Sequence, residues 1–326
     1  MSNKHTGFIV GAYPCAPSFH QRDEAMEVDF LRRLADIPHI RGIEQPCLEN
    51  LHPYGDDFLF THLPDEWDIV VTAVMETMRR RGTESGFGLA SEDKVQRDAC
   101  LAYYRHLFER IQRTNDRFGW QKVIALEMQA APLAGTRNVA VAEACFQDAL
   151  QEILRWDWPC ELILEHCDSF EGIAPRKGFL PLQNEINALT MINQQHEASV
   201  GLCINWARSV LENHTTSLPL AHVKEAQQAG LLKAVMFSGT TPDGAYGEWQ
   251  DLHAPFAPFS GAKVACKESL MTVDAAADIF RQAPLNALSF AGIKLLEIDA
   301  QADVTHRISI IDDGIQALLL ASGNSK

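Results

Sequence analysis

The sequence predicts a (β/α)8 barrel on three observations. It holds eight short apolar runs, helix-length amphipathic or charged stretches between them, and polar residues closing nearly every run. The predicted strands cover 8–13, 40–45, 69–75, 123–128, 162–166, 200–205, 234–238 and 292–298. The predicted helices cover 24–35, 92–118, 139–154, 182–195, 220–229, 273–281 and 302–320.

Each element has a local reason. The first strand is an apolar run leading into a charged, amphipathic stretch. The second ends on Glu44 after Gly-Ile, and its link forms the weakest helix because Pro53 and Gly55 break it. The third runs from Ile69 through Thr72 to Met75. Ser91, ahead of Glu92 and Asp93, sets an N-cap for the long helix that follows, and Gly119 stops it. The fourth and fifth strands close on Glu127, after Ile-Ala-Leu, and Glu165, after Leu-Ile-Leu. The sixth closes on Asn205, Gly230 stops the next helix, and the seventh closes on Ser238. The last carries Lys294 inside Ala-Gly-Ile-Lys-Leu-Leu-Glu-Ile. Doubly wound sheets share this alternation, but the count of eight and the polar strand ends favour the barrel. No GxGxxG or Walker A loop is present. With no composition shift or Gly/Ser linker, residues 1–326 read as a single domain.

Composition narrows the function classes. Net charge is −15, and Arg79-Arg80-Arg81, read as a solvated turn, is the one basic run, so a nucleic-acid partner is not expected. No stretch has the ~18 apolar residues of a membrane helix, and residues 1–5 offer no signal-peptide layout. The eight cysteines are scattered without a CxxC pair and read as reduced small hydrophobes. The expected compartment is the cytoplasm.

Barrel strand ends converge on one mouth, which brings together Glu44, Thr72, Glu127, Glu165, His166, Asp168, Asn205, Arg208, Ser238, Lys294 and Glu297. Carboxylates on three apolar strands are costly to bury without purpose. Alternation cannot point both Glu165 and His166 inward, and Glu165 is favoured there as base or metal ligand. His166 and Asp168 then sit beside it as substrate-binding candidates. Asn205 suits a sugar hydroxyl, and Arg208 a carboxylate or phosphate clamp. In the Pro-rich loop after the seventh strand, Asp251 and His253 read as a coupled acid/base pair, and Trp249 as a roof over a sugar ring. Lys294 requires a counter-charge at the mouth and ranks above Glu297.

The segments GFIVGAYPCAPSF, IEQPCLENLHP, VVTAVMETMRRR, GFGLAS, LILEHCD, APRKGFLPL, CINWARS, FSGTT, YGEWQDLHAPFAPF and GIKLLEI run end to end through the chain. Through them it resembles the YihM-type proteins, grouped with sugar phosphate isomerases in the xylose isomerase-like barrel superfamily. That resemblance implies a divalent metal held by Glu, Asp, His and Glu at strand ends, moving a proton between neighbouring carbons. Matched to that pattern, Glu165 occupies the first ligand position. Asn205 stands where Asp is usual, Arg208 where His is usual, Ser238 near another His, and Lys294 near the last Glu. Because guanidinium and ammonium groups do not ligate metals, no cofactor is favoured; the alternative is a metal moved to Glu165, Asp168 and His253. The resulting expectation is an isomerase or epimerase of a sugar, sugar acid or sugar phosphate. Glu165 or Glu127 is the base, Lys294 and Arg208 bind the oxyanion or acid group, and His253 assists. The partner is a small carbohydrate, with neither nucleic acid nor membrane, and a homodimer is compatible with the sequence. The rivals are a lyase or dehydratase on a sugar acid, a hydrolase, and a non-catalytic sugar-binding barrel.

Overall fold

The computed structural model describes residues 7–136 and 138–323, so the leader reading of residues 1–5 lies outside the described part. Eight parallel strands close in sequence order: β1 Phe8–Gly11, β2 Ile40–Pro46, β3 Asp68–Thr72, β4 Val123–Met128, β5 Glu161–His166, β6 Gly201–Asn205, β7 Leu232–Phe237 and β8 Phe290–Lys294. Around them lie α1 Glu24–Ala35, α2 Asp56–His62, α3 Val74–Arg81, α4 Lys94–Phe118, α5 Val139–Ile153, α6 Leu182–His196, α7 Trp206–Asn213, α8 Leu218–Gln228, α9 Val273–Gln282 and α10 Val304–Ala321. The barrel expectation holds. Its main apolar core fills the space between sheet and helices.

Three short helices escaped the sequence reading. α2 begins where Gly55, at φ 95°, lets the chain turn. α3 was hidden by a continuous apolar run, so β3 seemed to reach Met75; it ends at Thr72, and the Ala73 carbonyl already accepts from the Thr77 amide. α7 starts directly off β6, with the Asn205 side chain as its N-cap. Two boundaries are also corrected. The cap of α4 is Asp93, whose carboxylate accepts from the Val95 and Gln96 amides, while Ser91 lies two residues too early. β8 ends at Lys294, not residue 298, because the Leu296 amide turns away to the His253 carbonyl.

Strand pleating positions the site. Ile9, Val70, Ala125, Ile163, Cys203, Ala234, Met236 and Phe290 form an apolar plug inside the barrel. Two residues further along their strands, on the same face, come Gly11, Thr72, Glu127, Glu165, Asn205 and Ser238. Register places Glu44 and Lys294 beside Gly11 on either side. The period of two therefore converts an apolar floor into a polar rim at the carboxyl ends.

Candidate functional site

Three carboxyls and two cations meet at this rim, and all are shielded from solvent: Arg208 is 1% exposed and Glu44, Glu127, Glu165 and Lys294 are 0%. The Lys294 ammonium lies 2.5 Å from Glu44 Oε1 and 3.7 Å from Glu165 Oε1. Gly11 makes room for this pair, since a Cβ there would stand 2.8 Å from Glu44 Oε2 and 3.0 Å from Lys294 Cγ. Arg208 sets Nη1 2.5 Å from Glu165 Oε2. Asn205 Nδ2 donates to Glu165 Oε1 at 3.1 Å, and Gln129 Nε2 to Oε2 at 3.2 Å. The Asn205 carbonyl in turn accepts from Ser238 Oγ at 2.9 Å, so the amide orientation is fixed.

These surroundings split the carboxyls. Burial disfavours the Glu165 carboxylate, but Arg208 and Lys294 outweigh it and hold the group at about 2. Glu127 has no cation in contact, and neither of its oxygens finds a hydrogen-bond partner among the described residues. Burial, with Glu165 and Glu44 nearby, pushes it well above the usual carboxylate range. Burial also raises Glu44, with Lys294 working against it. Neighbouring strands thus present two carboxyls driven in opposite directions, Glu165 down by its cations and Glu127 up by burial.

The loop after β7 closes the rim. Asp251 pairs with Lys177 and lies 3.4 Å from Arg208 Nε, and Lys177 and Arg208 hold it ionised against the cost of burial. His253 Nδ1 lies 3.4 Å from Asp251 Oδ1. Burial, helped by Lys294 and Arg208 against Asp251, brings His253 down to about 3, so it is neutral. Trp249 and His253 both take φ 50°, a left-handed conformation costly for such side chains. Arg176 fastens the loop by donating to the Trp249 and Glu248 carbonyls.

Glu44, Glu127, Glu165, Asn205, Arg208, Lys294, Asp251 and His253 therefore come together. Four candidates do not. His166 faces the helical layer, where Nδ1 meets Glu185 Oε2 at 2.8 Å; pleating sends it opposite to Glu165 and out of the substrate site. Asp168 Oδ2 is used by the backbone amides of Arg176, Lys177 and Gly178, which makes it the anchor of that loop. Trp249 stacks on His214 at 4.1 Å between ring centroids, so that ring face is covered. Glu297, 3% exposed, likewise pairs with His306 beyond the end of β8. The Arg79–Arg81 run, expected as a solvated turn, instead ends α3: Arg79 and Arg80 pair with Glu76 and Glu84, and Arg81 donates to the Pro132 carbonyl.

Sequence reasoning missed Tyr13, Gln129, Cys167 and Lys177. Tyr13 places its ring 5.9 Å from the Lys294 ammonium. Cys167 Sγ lies 3.3 Å from both Arg208 Nη1 and Gln129 Oε1. Lys177 was visible in the basic pair after Pro175, but nothing local linked it to Asp251.

The rim does not fit the divalent metal that the resemblance implies. Both oxygens of Glu165 already face a cation, and an ammonium sits where a further carboxylate would complete the ligand set. In the relocated set, Asp168 has one oxygen, Oδ2, taken by the amides of Arg176, Lys177 and Gly178, and Glu165 is already paired with Arg208 and Lys294.

A family model described as a domain of unknown function (DUF4862) matches residues 9–310, and the chain belongs to that family. An uncharacterized Salmonella typhimurium protein is 56% identical over 318 residues, covering 98% of each chain. The fold is similar to that of IolI, solved with a zinc atom: TM-score 0.59 and 12% identity, over 96% of this chain and 98% of that one. A xylose isomerase domain containing protein of Salmonella typhimurium gives TM-score 0.53 at 11% identity, over 97% and 98%. D-allulose 3-epimerase of Methylomonas sp., solved with D-allulose, gives 0.54 at 12%, over 96% of both chains. The barrel is of the xylose isomerase-like kind.

Proposed function

We propose that this member of the DUF4862 family is an isomerase or epimerase of a sugar, sugar acid or sugar phosphate, working by proton transfer next to a carbonyl. One observation carries the reading: Glu165 and Glu127 lie buried on adjacent strands, where Arg208 and Lys294 hold Glu165 down and burial pushes Glu127 well above the usual carboxylate range. Paired groups driven apart in this way supply a base and an acid to one reaction. Glu165 removes the α-proton and Glu127 returns one. As the carbonyl oxygen gains charge, the Lys294 ammonium and Arg208 guanidinium stabilise it, the work these cations do for the carboxylates at rest. Neutral His253 relays protons between hydroxyls, and Asn205 holds a hydroxyl. D-allulose 3-epimerase and the YihM-type likeness point to the same substrate class. In this reading the chain works as one domain over residues 1–326, in the cytoplasm. Its eight free cysteines favour that setting.

The test is solvent hydrogen exchange in D2O with a panel of aldoses, ketoses, aldonates and their phosphates, followed by NMR. The wild type should incorporate deuterium at the α-carbon and yield an isomeric sugar. Glu165→Gln should abolish exchange, a loss of about 100-fold or more. Glu127→Gln should keep exchange but block the isomeric product. Formation of an α-keto acid would assign dehydration instead, since a protonated Glu127 also suits a leaving hydroxyl. Binding without exchange in the wild type would leave a sugar-binding barrel.

A further inference from the structure

We propose that His166, Glu212 and His222 form a zinc-type divalent cation site in the helical layer behind β5, separate from the rim. His166 ends β5, Glu212 belongs to α7 and His222 to α8. One potential ligand atom from each lies within 4.8 Å of the others. The orientation of both rings is already set. Glu185 Oε2 holds His166 Nδ1 at 2.8 Å, and Ser209 Oγ holds His222 Nδ1 at 3.0 Å. This leaves Nε2 on each imidazole for a ligand, in the arrangement by which carboxylates and hydroxyls orient metal-binding histidines.

A second observation points to a missing ligand. His166 is 0% exposed, and its Nε2 has no hydrogen-bond partner among the described residues. Glu212 Oε2 lies 3.5 Å away, longer than an ordinary hydrogen bond and suited to two ligands flanking one ion. That same oxygen accepts from the Ser169 amide at 2.9 Å, which fixes the carboxylate. Glu212 brings a carboxylate into this layer that a dication can offset. Two imidazoles and one carboxylate suit zinc rather than magnesium or calcium, which prefer all-oxygen shells. Glu212 is 14% exposed, so the ion enters from its side and a water completes four-coordination.

The ion would join β5, α7 and α8 directly behind the rim. His166 follows Glu165 in the chain, and Glu212 lies one helical turn beyond Arg208. Its role is to hold the backbone that presents those two side chains, and it requires no part in the reaction.

The experiment strips full-length protein with EDTA, adds zinc chloride, and measures bound zinc after gel filtration together with the melting temperature. We expect one zinc per chain and a raised melting temperature. His222→Ala and Glu212→Gln should each weaken binding by about 100-fold, Glu185→Gln by about 10-fold, and Glu165→Gln by less than about 3-fold. Should His222→Ala not fold, anomalous scattering at the zinc edge from wild-type crystals locates the ion directly. Zinc that survives both ligand substitutions, disappears with Glu165→Gln, or scatters from a cysteine or from the rim overturns the proposal. So does a wild type that binds none, and His166 is then a charged imidazolium clamped between Glu185 and Glu212.

Discussion

Replacing Lys294 with Met keeps the side chain's length and removes its charge. At 2.5 Å and 3.7 Å from two carboxylates, that charge contributes roughly 7 and 4 kcal/mol of Coulomb attraction at an effective dielectric of about 20. The variant does not lose this sum, because Glu44 can take up a proton. Moving a carboxyl from its usual 4.5 to neutrality at pH 7 costs about 3 kcal/mol, within the range for breaking a buried pair. The sign follows from linkage. A group raised in the folded state is harmless below its unfolded value and destabilises as pH climbs above it. The variant's deficit should therefore grow by about 1.4 kcal/mol per pH unit, or roughly 2.7 kcal/mol from pH 5.5 to 7.5. Urea unfolding of both proteins at the two pH values reads this directly. Adding Glu44→Gln should restore most of the loss and flatten the pH dependence. A deficit that is the same at both pH values, or absent, would refute the buried ion pair.

Three further outcomes are expected. Glu165 is depressed to about 2, so the stability it contributes is present above pH 4.5 and lost as pH falls through that interval; Glu165→Gln should reduce the acid-side slope of urea stability between pH 4.5 and 2. Arg208→Lys loses the planar reach to Glu165, Cys167 and Asp251 and should cost about 1–3 kcal/mol in urea unfolding. Once a ligand is known, unchanged affinity in that variant would remove Arg208 from substrate contact. Lys177→Met frees Asp251 from its lysine, and hydrogen exchange measured by mass spectrometry should rise about tenfold across residues 249–253, with β5 unaffected.

The barrel was legible because its cause is local. Each strand needs an apolar run and each helix an amphipathic one, and α1 and β4 lie where the sequence places them. The rim was legible for a related reason: alternation carries Glu127, Glu165 and Asn205 two residues past apolar neighbours. Pleating also forbade Glu165 and His166 from sharing a face, yet the candidate list kept both. What stayed hidden depends on distance in space. Asp168 resembled a site residue until the backbone amides of 176–178 came within reach. α7 was readable from an Asn N-cap, but a chemical reading of Asn205 and Arg208 hid it.

The rim and its loop set three carboxyl groups, Glu44, Glu165 and Asp251, against three cations, Lys294, Arg208 and Lys177. Burial biases Glu127 toward its neutral form and keeps His253 neutral. This balance makes the resting site a titrator of its own ligand. A neutral aldose or ketose leaves the balance intact, so its heat of binding should be the same in phosphate and Tris. An aldonate or sugar phosphate adds negative charge, and the carboxyls that burial already raises, Glu44 and Glu127, are placed to take a compensating proton. Association of such an acid draws a proton from the buffer, and its calorimetric heat shifts with the buffer's ionisation enthalpy. The number of protons taken up thus reports whether the natural substrate is charged.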